Sequence, residues 1–525
     1  MAQPAHRESS ARHAFLVAAG ILVSRVIGLV RQGVFSKYFG QGMESDAFTG
    51  AFRVPNLLQN LFGEGVLSAS FIPVYARLLA EGDEEEAGRV AGAVGAILAL
   101  TASVLVLAGI LATPYLLFAI TPGFTGEKRE LTIHLVRILF PGAGLLVFSA
   151  WCLGILNSHR KFFLSYTAPV VWNLAMVATM VAWGRLVPGT LAVYLAWGSV
   201  AGSFLQFVVQ LPVVLALARR LRFRLETRAA HVREVLRNFG PVFVSRGVVQ
   251  ISSYIDQMLG SLLGNGPVTA LVNVQSMYTL PVSLFGMAVS AAELPAMSSA
   301  LGDREQVARQ LRARLDSGLR QIALLVVPSA MAFFALGDVI TAALYQRGRF
   351  THADTMYVWA ILAGSAIGLL ATTLGRLYSS TYYALRDTRT PLRFAVIRVA
   401  LTTVMGFLCA IPLPYLLGIE KRWGAVGLTA SAGVAGWVEF TLLRRTLNRR
   451  IGVTGVPAAT IAKLWTAAAL GAAAAWAVKI AIGPHRPILV AVPILGAYGV
   501  VYFAAAYLLR VEECVRLLKR RAWKR

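Results

Sequence analysis

Along the chain, apolar runs of membrane-crossing length alternate with short polar stretches that are mostly basic. The run "VGAILALTASVLVLAGILATPYLLFAI" exceeds the ~20 residues that a helix needs to span a bilayer. Period-two alternation in short segments, the mark of a membrane β-barrel, is not visible. The pattern predicts about fourteen helices near 14–39, 46–79, 90–119, 131–157, 161–184, 190–218, 232–262, 268–300, 307–336, 354–384, 391–414, 424–447, 457–482 and 486–510. Pro55, Pro73, Pro281 and Pro295 fall inside such runs and are the expected kinks. Composition agrees with an all-α polytopic membrane protein: 57% of the 525 residues are hydrophobic and only 14% are charged.

The charges that remain are unevenly placed. One set of alternate loops holds Arg89, Arg160, Lys161, "ARRLRFRLETR", "ALRDTRTPLR", "RRTLNRR" and the tail "RLLKRRAWKR". That set carries roughly thirty Lys and Arg and the other roughly ten, including Lys128 and Arg129, which places both termini in the cytoplasm by the positive-inside rule. The net charge of +25 is thus an inner-leaflet feature and does not point to nucleic acid. The acidic run "EGDEEEAGR" reads as a solvated loop. Cys152, Cys409 and Cys514 are scattered and form neither a disulfide framework nor a zinc motif. The polar start "MAQPAHRESSARH" has no small-residue cleavage site and does not read as a cleaved signal peptide.

An internal repeat organises the spans. "LVSRVIGLVRQ" at 22 has a partner in "FVSRGVVQISSYIDQ" at 243, and "LFGEGVLSASFIPVYARLLAEGD" at 61 has one in "LFGMAVSAAELPAMSSALGD" at 284. The first helix thus pairs with the seventh and the second with the eighth. The copies are offset by six spans, an even number, so they insert the same way up, as parallel transporter repeats do, with the substrate site expected between the halves. The predicted domains are an N-lobe at 14–218, a C-lobe at 232–447, two extra C-terminal helices at 457–510, and a basic cytoplasmic tail at 511–525.

Several charges interrupt helices where each costs about 2.5–3.5 kcal/mol at the bilayer centre. The first helix carries Arg25 and Arg31, the second Asp46, Arg53 and Glu64, the seventh Arg246 and Asp256, and the tenth Arg376. Arg25 and Arg31 are six apart and do not share one helix face. Lys37 and Arg77, near helix ends, read as snorkelling residues. Arg25, Arg53 and Arg246 on facing helices imply a water-filled cationic chamber. Asp46 and Glu64 can pair with some of these arginines and gate it. Such a chamber suits an anion, and diphosphate matches arginine forks. No catalytic motif, metal constellation, nucleotide site or cofactor motif is present, so the chain reads as a transporter and not an enzyme.

The stretches "SRVIGLVRQ", "FGQGMESDAFTGAFRVPNLLQNLFGEGVLSASFIPVY", "ITPGF", "GILNSHRKF", "YQRGRFT" and "YYALRDTRTP" resemble the MurJ (MviN) family of lipid II flippases, within the multidrug/oligosaccharidyl-lipid/polysaccharide exporter superfamily. The resemblance implies fourteen helices and two six-helix lobes around a central cavity. It also implies export of an undecaprenyl-diphosphate-linked peptidoglycan precursor across the bacterial inner membrane, with the last two helices forming a groove for the lipid tail. By the same resemblance, Arg25, Arg31 and Arg53 match basic positions, Asp46 and Glu64 acidic ones, and Pro55–Asn56 the family's Pro-Asn pair. Gln59, Gln275 and Ser276 stand where the family commonly carries Arg, Asp and Arg, while Arg246 is an additional cation. The expected substrate-binding set is therefore Arg25, Arg31, Arg53 and Arg246. Asp46, Asn56, Glu64, Asp256 and Arg376 are expected to line or gate the cavity. Lipid II, membrane lipids and the cell-wall synthesis machinery are the expected partners. The alternatives are a flippase for another polyprenyl-diphosphate-linked glycan and a non-transporting cell-wall scaffold.

Overall fold

Where the helices break matters more to this architecture than where they run. The computed structural model describes residues 4–298, 303–483 and 486–516, and among them there are helices and connections but no strand. Helix α1 (Pro4–Phe39) stops at Gly40, whose φ of 63° is open to glycine without a Cβ penalty. The stretch expected as one helix over 46–79 is three: α2 (Met43–Phe62), α3 (Glu64–Ser70) and α4 (Ile72–Ala80). At Gly63 a Cβ would stand 2.2 Å from the Gln59 carbonyl oxygen, so only glycine permits that bend. Pro73 lies in the first turn of α4, where its missing N–H costs nothing, and so starts a helix instead of kinking one. Pro55 sits within α2, which continues through it.

Helix α5 (Glu84–Ile120) begins at Asp83, whose side chain accepts the Glu86 N–H at 2.9 Å, and carries three glutamates in its first turn. That acid suits the positive end of the helix dipole. It is followed by α6 (Gly126–Ser158), α7 (Phe162–Trp183), α8 (Pro188–Leu217) and α9 (Ala230–Ser261). These helices form one compact unit that ends at Val268. One of its cores gathers Phe71, Tyr75 and Trp151, the last donating its indole N–H to the Ala91 carbonyl at 3.0 Å. Another stacks Phe35, Phe39 and Phe48.

The second unit starts at Thr269. The expected helix over 268–300 is α10 (Pro267–Pro281), a π-helical turn (Val282–Met287) and α11 (Ala288–Ser298), which runs through Pro295. Then come α12 (Arg304–Ala335), α13 (Gly337–Tyr345), α14 (His352–Ala384), α15 (Arg389–Ala410), α16 (Pro412–Leu416), α17 (Gly424–Ile451), α18 (Ala458–Ile482) and α19 (Pro487–Leu508). Small residues let α14 and α17 approach closely: a Cβ on Gly368 would lie 2.5 Å from the Gly433 Cα. Pro328 deprives the Leu324 carbonyl of its helical donor. The Tyr502 hydroxyl donates to that carbonyl at 2.6 Å, and Tyr498 donates to the Pro328 carbonyl at 2.6 Å, so α19 docks on α12 at the point the proline weakens. Lys479 of α18 pairs with Asp338 of α13 beside them. Both helix irregularities, at Gly63 and at 282–287, fall on the two copies of the "LFG" sequence.

Eleven helices among the described residues are long and apolar enough to cross a membrane. The chain is thus a multi-span membrane protein. Helices α1 and α9 and the broken α2–α4 segment are not in that set, and these are the segments into which Arg25, Arg31, Asp46, Arg53, Glu64, Arg246 and Asp256 are built.

The loop between α14 and α15 yields a pH prediction. The Asp387 carboxylate accepts the Thr390 hydroxyl at 2.6 Å and N–H at 3.0 Å, and pairs with Arg450 at 2.7 Å. The Thr390 bonds first, then Arg450, hold its carboxyl well below the usual carboxylate range. A folded value depressed below the unfolded one contributes stability above the unfolded pKa and loses it as pH falls toward the folded one. Asp387→Asn is therefore expected to lower the thermal midpoint at pH 7. The deficit relative to the parent should shrink below about pH 4, near the ordinary Asp value.

Candidate functional site

Asp46 opens the site. It lies in the first turn of α2, whose start is fixed by Ser45: the Ser45 hydroxyl bonds both the N–H and the carbonyl of Gly42 at 2.9 Å. Asp46 is fully buried, and so is nearly all of Lys128 in the first turn of α6. The Lys128 ammonium donates to Asp46 Oδ2 at 2.9 Å, to the Gly264 carbonyl at 3.0 Å and to Asn265 Oδ1 at 3.2 Å. Its three N–H donors thus each have an acceptor, and its charge sits 4.0 Å from the centre of the Phe124 ring. Asp46 Oδ2 also accepts the Gly266 N–H at 2.8 Å. Burying an ion pair costs desolvation that only such saturation offsets. Gly264 and Gly266 adopt φ near +99° and +103°, which curls the 262–266 loop so that its backbone meets the pair. Alongside, the Gly123 N–H donates to the Ser261 hydroxyl at 3.2 Å.

One face of α9 follows down α2. Arg53 donates to Gln257 Oε1 at 3.3 Å, Gln257 reaches the Gly50 carbonyl at 3.5 Å, and the Tyr254 hydroxyl donates to the Arg53 carbonyl at 3.0 Å. Asp256, half-buried, adds an attractive charge to Arg53. At the far end of α9, Arg77 makes a two-pronged bond to Glu234 at 3.2 and 2.7 Å, and His231 meets Glu86 at 3.2 Å. The acidic run is thus more than a solvated loop. Glu85 also pairs with Arg222 at 3.1 Å, and Glu86 with Arg89 at 3.3 Å. Helix α9 is tied to α4 and α5 at one end and to α2 at the other, and the loop that follows it is held by Lys128 of α6.

Arg31 goes elsewhere. Its guanidinium lies 5.1 Å from the Trp172 ring centre and 5.9 Å from that of Phe52, and donates to Met176 Sδ at 3.6 Å. Its Nε is buried without an acceptor among the described residues. Phe52 stacks on Trp172 at 5.6 Å, and the Trp172 indole donates to the Ser199 carbonyl at 3.2 Å. Phe52 also borders a shallow cleft between α2, α6 and α8, lined by Pro55, Asn56, Gln59, Ser199 and Ser203 among others. Arg25, half-buried in α1, makes no hydrogen bond or ion pair among the described residues. Arg376 is exposed on α14. Glu64 and Arg246 belong to α3 and α9, but their side chains lie outside the described residues.

The structure therefore brings Arg53 together with Asp256, sets Asp46 with Lys128 two turns earlier on α2, and places Arg31 against Trp172 and Met176. Sequence reasoning missed Lys128, which looks like an ordinary loop lysine, and Tyr254, Gln257, Trp172 and Met176, which carry no signal of their own. Asp46 pairs with Lys128. No group of three or more potential metal ligands occurs among the described residues.

A family model described as lipid II flippase MurJ matches residues 35–494. The chain belongs to the MurJ family. The lipid II flippase MurJ of Burkholderia cenocepacia is 33% identical over 451 residues, covering 83% of this chain and 84% of that relative. A solved structure of lipid II flippase MurJ in an inward closed conformation matches with a TM-score of 0.77 at 22% identity, over 94% of this chain and 99% of that one. An inward-facing multidrug resistance MATE transporter of the MOP superfamily matches at 0.67 and 17% identity, over 81% of this chain and 95% of that one. These two likenesses show the fold. MurJ proteins are flippases and not enzymes, so the transporter reading stands.

Proposed function

We propose that this chain flips lipid II from the cytoplasmic to the outer leaflet of the bacterial inner membrane by alternating access. The carrying observation is that the expected spans outside the apolar eleven, α1, α2–α4 and α9, bear all of the expected site charges except Arg376, and that α2 and α9 contact each other along them. Adding these three to the eleven gives the fourteen expected spans. The loop charges support an orientation with both termini cytoplasmic and the Asp46–Lys128 pair toward the outer face. The lobes are 14–218 and 232–447, with 457–510 as a lipid-tail groove. Arg25, Arg53 and Arg246 hold the diphosphate, and the cell-wall synthesis machinery is the consumer of the exported lipid. Arg31, held in its aromatic box, acts from behind as a fixed positive charge at the edge of the Asn56 cleft.

The reading is tested by expressing the chain in a bacterium depleted of its own lipid II flippase and assaying surface-exposed lipid II. The parent is expected to restore exposure. Arg25→Ala is expected to abolish it at an unchanged membrane level, because one lost charge-assisted contact to phosphate is worth about 1.5–3 kcal/mol. Full activity of Arg25→Ala would remove Arg25 from the site. Restored outer-leaflet transport of a different polyprenyl-diphosphate glycan, without lipid II, would favour that substrate instead.

A further inference from the structure

A separate cationic cluster lies within the unit that begins at Thr269. Four helices meet there: Tyr278 comes from α10, Arg376 from α14, Arg398 from α15 and Glu439 from α17. Arg398 Nε contacts Glu439 Oε2 at 3.2 Å, with the two side chains 35% and 18% exposed. Arg376 is within electrostatic reach of Tyr278, Arg398 and Glu439, and Tyr278 bonds the Thr372 side chain one turn before it. Among the described residues, two guanidiniums face one carboxylate, and that carboxylate is taken by Arg398. One positive charge is left over, and it belongs to Arg376.

The location makes that charge unusual. Leu374, Gly375, Leu377 and Tyr378 on either side of Arg376 are buried, while Arg376 itself is exposed. It lies more than two turns inside a membrane-crossing helix. A guanidinium facing lipid there would carry the full cost of an intramembrane charge, so its accessible side faces water. It makes no hydrogen bond among the described residues. Helix α10 does not supply a competing cation, since Gln275 bonds Thr279 at 2.9 Å and Ser276 bonds back to the Val272 carbonyl at 2.9 Å.

We propose that Arg376, braced by the Arg398–Glu439 pair, is a diphosphate-binding position in the second unit. This rests on the lipid II reading. Glu439 neutralises Arg398 and holds it against α17, which leaves the Arg376 fork as the group offered to a dianionic ligand. A planar fork favours a diphosphate, with oxygens on two phosphorus atoms, over a monophosphate.

The test is a titration of the purified full chain in nanodiscs with undecaprenyl diphosphate and, in parallel, undecaprenyl monophosphate. Arg376→Ala is expected to weaken diphosphate binding about tenfold and monophosphate binding less, the tenfold matching the loss of one charged hydrogen bond. Arg376→Lys should recover part of the loss, because it restores charge but not the fork. Thermal unfolding checks the fold, and if Arg376→Ala unfolds, Arg376→Gln carries the same comparison. Equal diphosphate affinity in the parent and the neutral variant overturns the proposal. Failure of the parent itself to bind diphosphate overturns the lipid II reading beneath it.

Discussion

Lys128→Met is expected to destabilise the protein by about 3–5 kcal/mol, the range for removing one partner of a buried ion pair. The variant takes the Lys128 ammonium away from the fully buried Asp46 carboxylate, which the Gly266 N–H continues to bond. It also releases the Gly264 carbonyl and Asn265 from the ammonium that gathers them. Most of the cost comes from the lost ion pair at a buried carboxylate, so Asp46→Asn added to Lys128→Met should recover a large part of it. A double-mutant cycle by thermal unfolding measures that coupling. The loss should be insensitive to salt because the pair is dry. Arg77→Ala at the other end of α9 sets the scale. Its pair with Glu234 has side chains 46% and 30% exposed, so the loss should be far smaller than at Lys128 and should fall as salt is added. The two ends of α9 are thus unequal: a strong dry latch at the Asp46 end and a weak wet one at the Glu234 end. A transport cycle that moves α9 releases the wet end more easily.

Arg31→Met is expected to move stability and transport in opposite directions. The Arg31 Nε is buried without an acceptor among the described residues, and an unsatisfied buried polar group costs about 1–3 kcal/mol. Methionine has similar length, and its thioether suits contact with Trp172, Phe52 and Met176. The variant should therefore melt at or above the parent temperature. Transport should fall by about tenfold or more if the fixed positive charge beside the Asn56 cleft serves the anionic headgroup, at about 1.4 kcal/mol per tenfold. Lower stability together with unchanged transport would make Arg31 a packing residue. Parallel measurements of unfolding temperature and surface-exposed lipid II separate the cases.

Much of the fold was legible because a bilayer imposes one length and one chemistry on every span. The apolar runs show the helices, but not their breaks. The bend at Gly63 depends on its approach to the Gln59 carbonyl, and the 282–287 segment is a π-helical turn; neither alters hydropathy. Only their recurrence on "LFG" left a trace. In the site, the six-residue spacing of Arg25 and Arg31 already told that they leave α1 on different faces, and Arg31 indeed enters an aromatic box that Arg25 does not share. Lys128 was not legible. Its burial depends on a glycine-turned loop 136 positions away, and a lysine beside a span end looks alike whether it snorkels or locks. The glutamates after α4 misled for the same reason, since their partners Arg222 and His231 lie far along the chain.

The most direct measurement is transbilayer movement of tagged lipid II in proteoliposomes made with the purified chain. The account predicts outer-leaflet appearance that scales with protein, is lost in Arg25→Ala, and is not reproduced with a neutral polyprenol glycan. Movement no faster than in protein-free liposomes, with the chain folded and inserted, would contradict it.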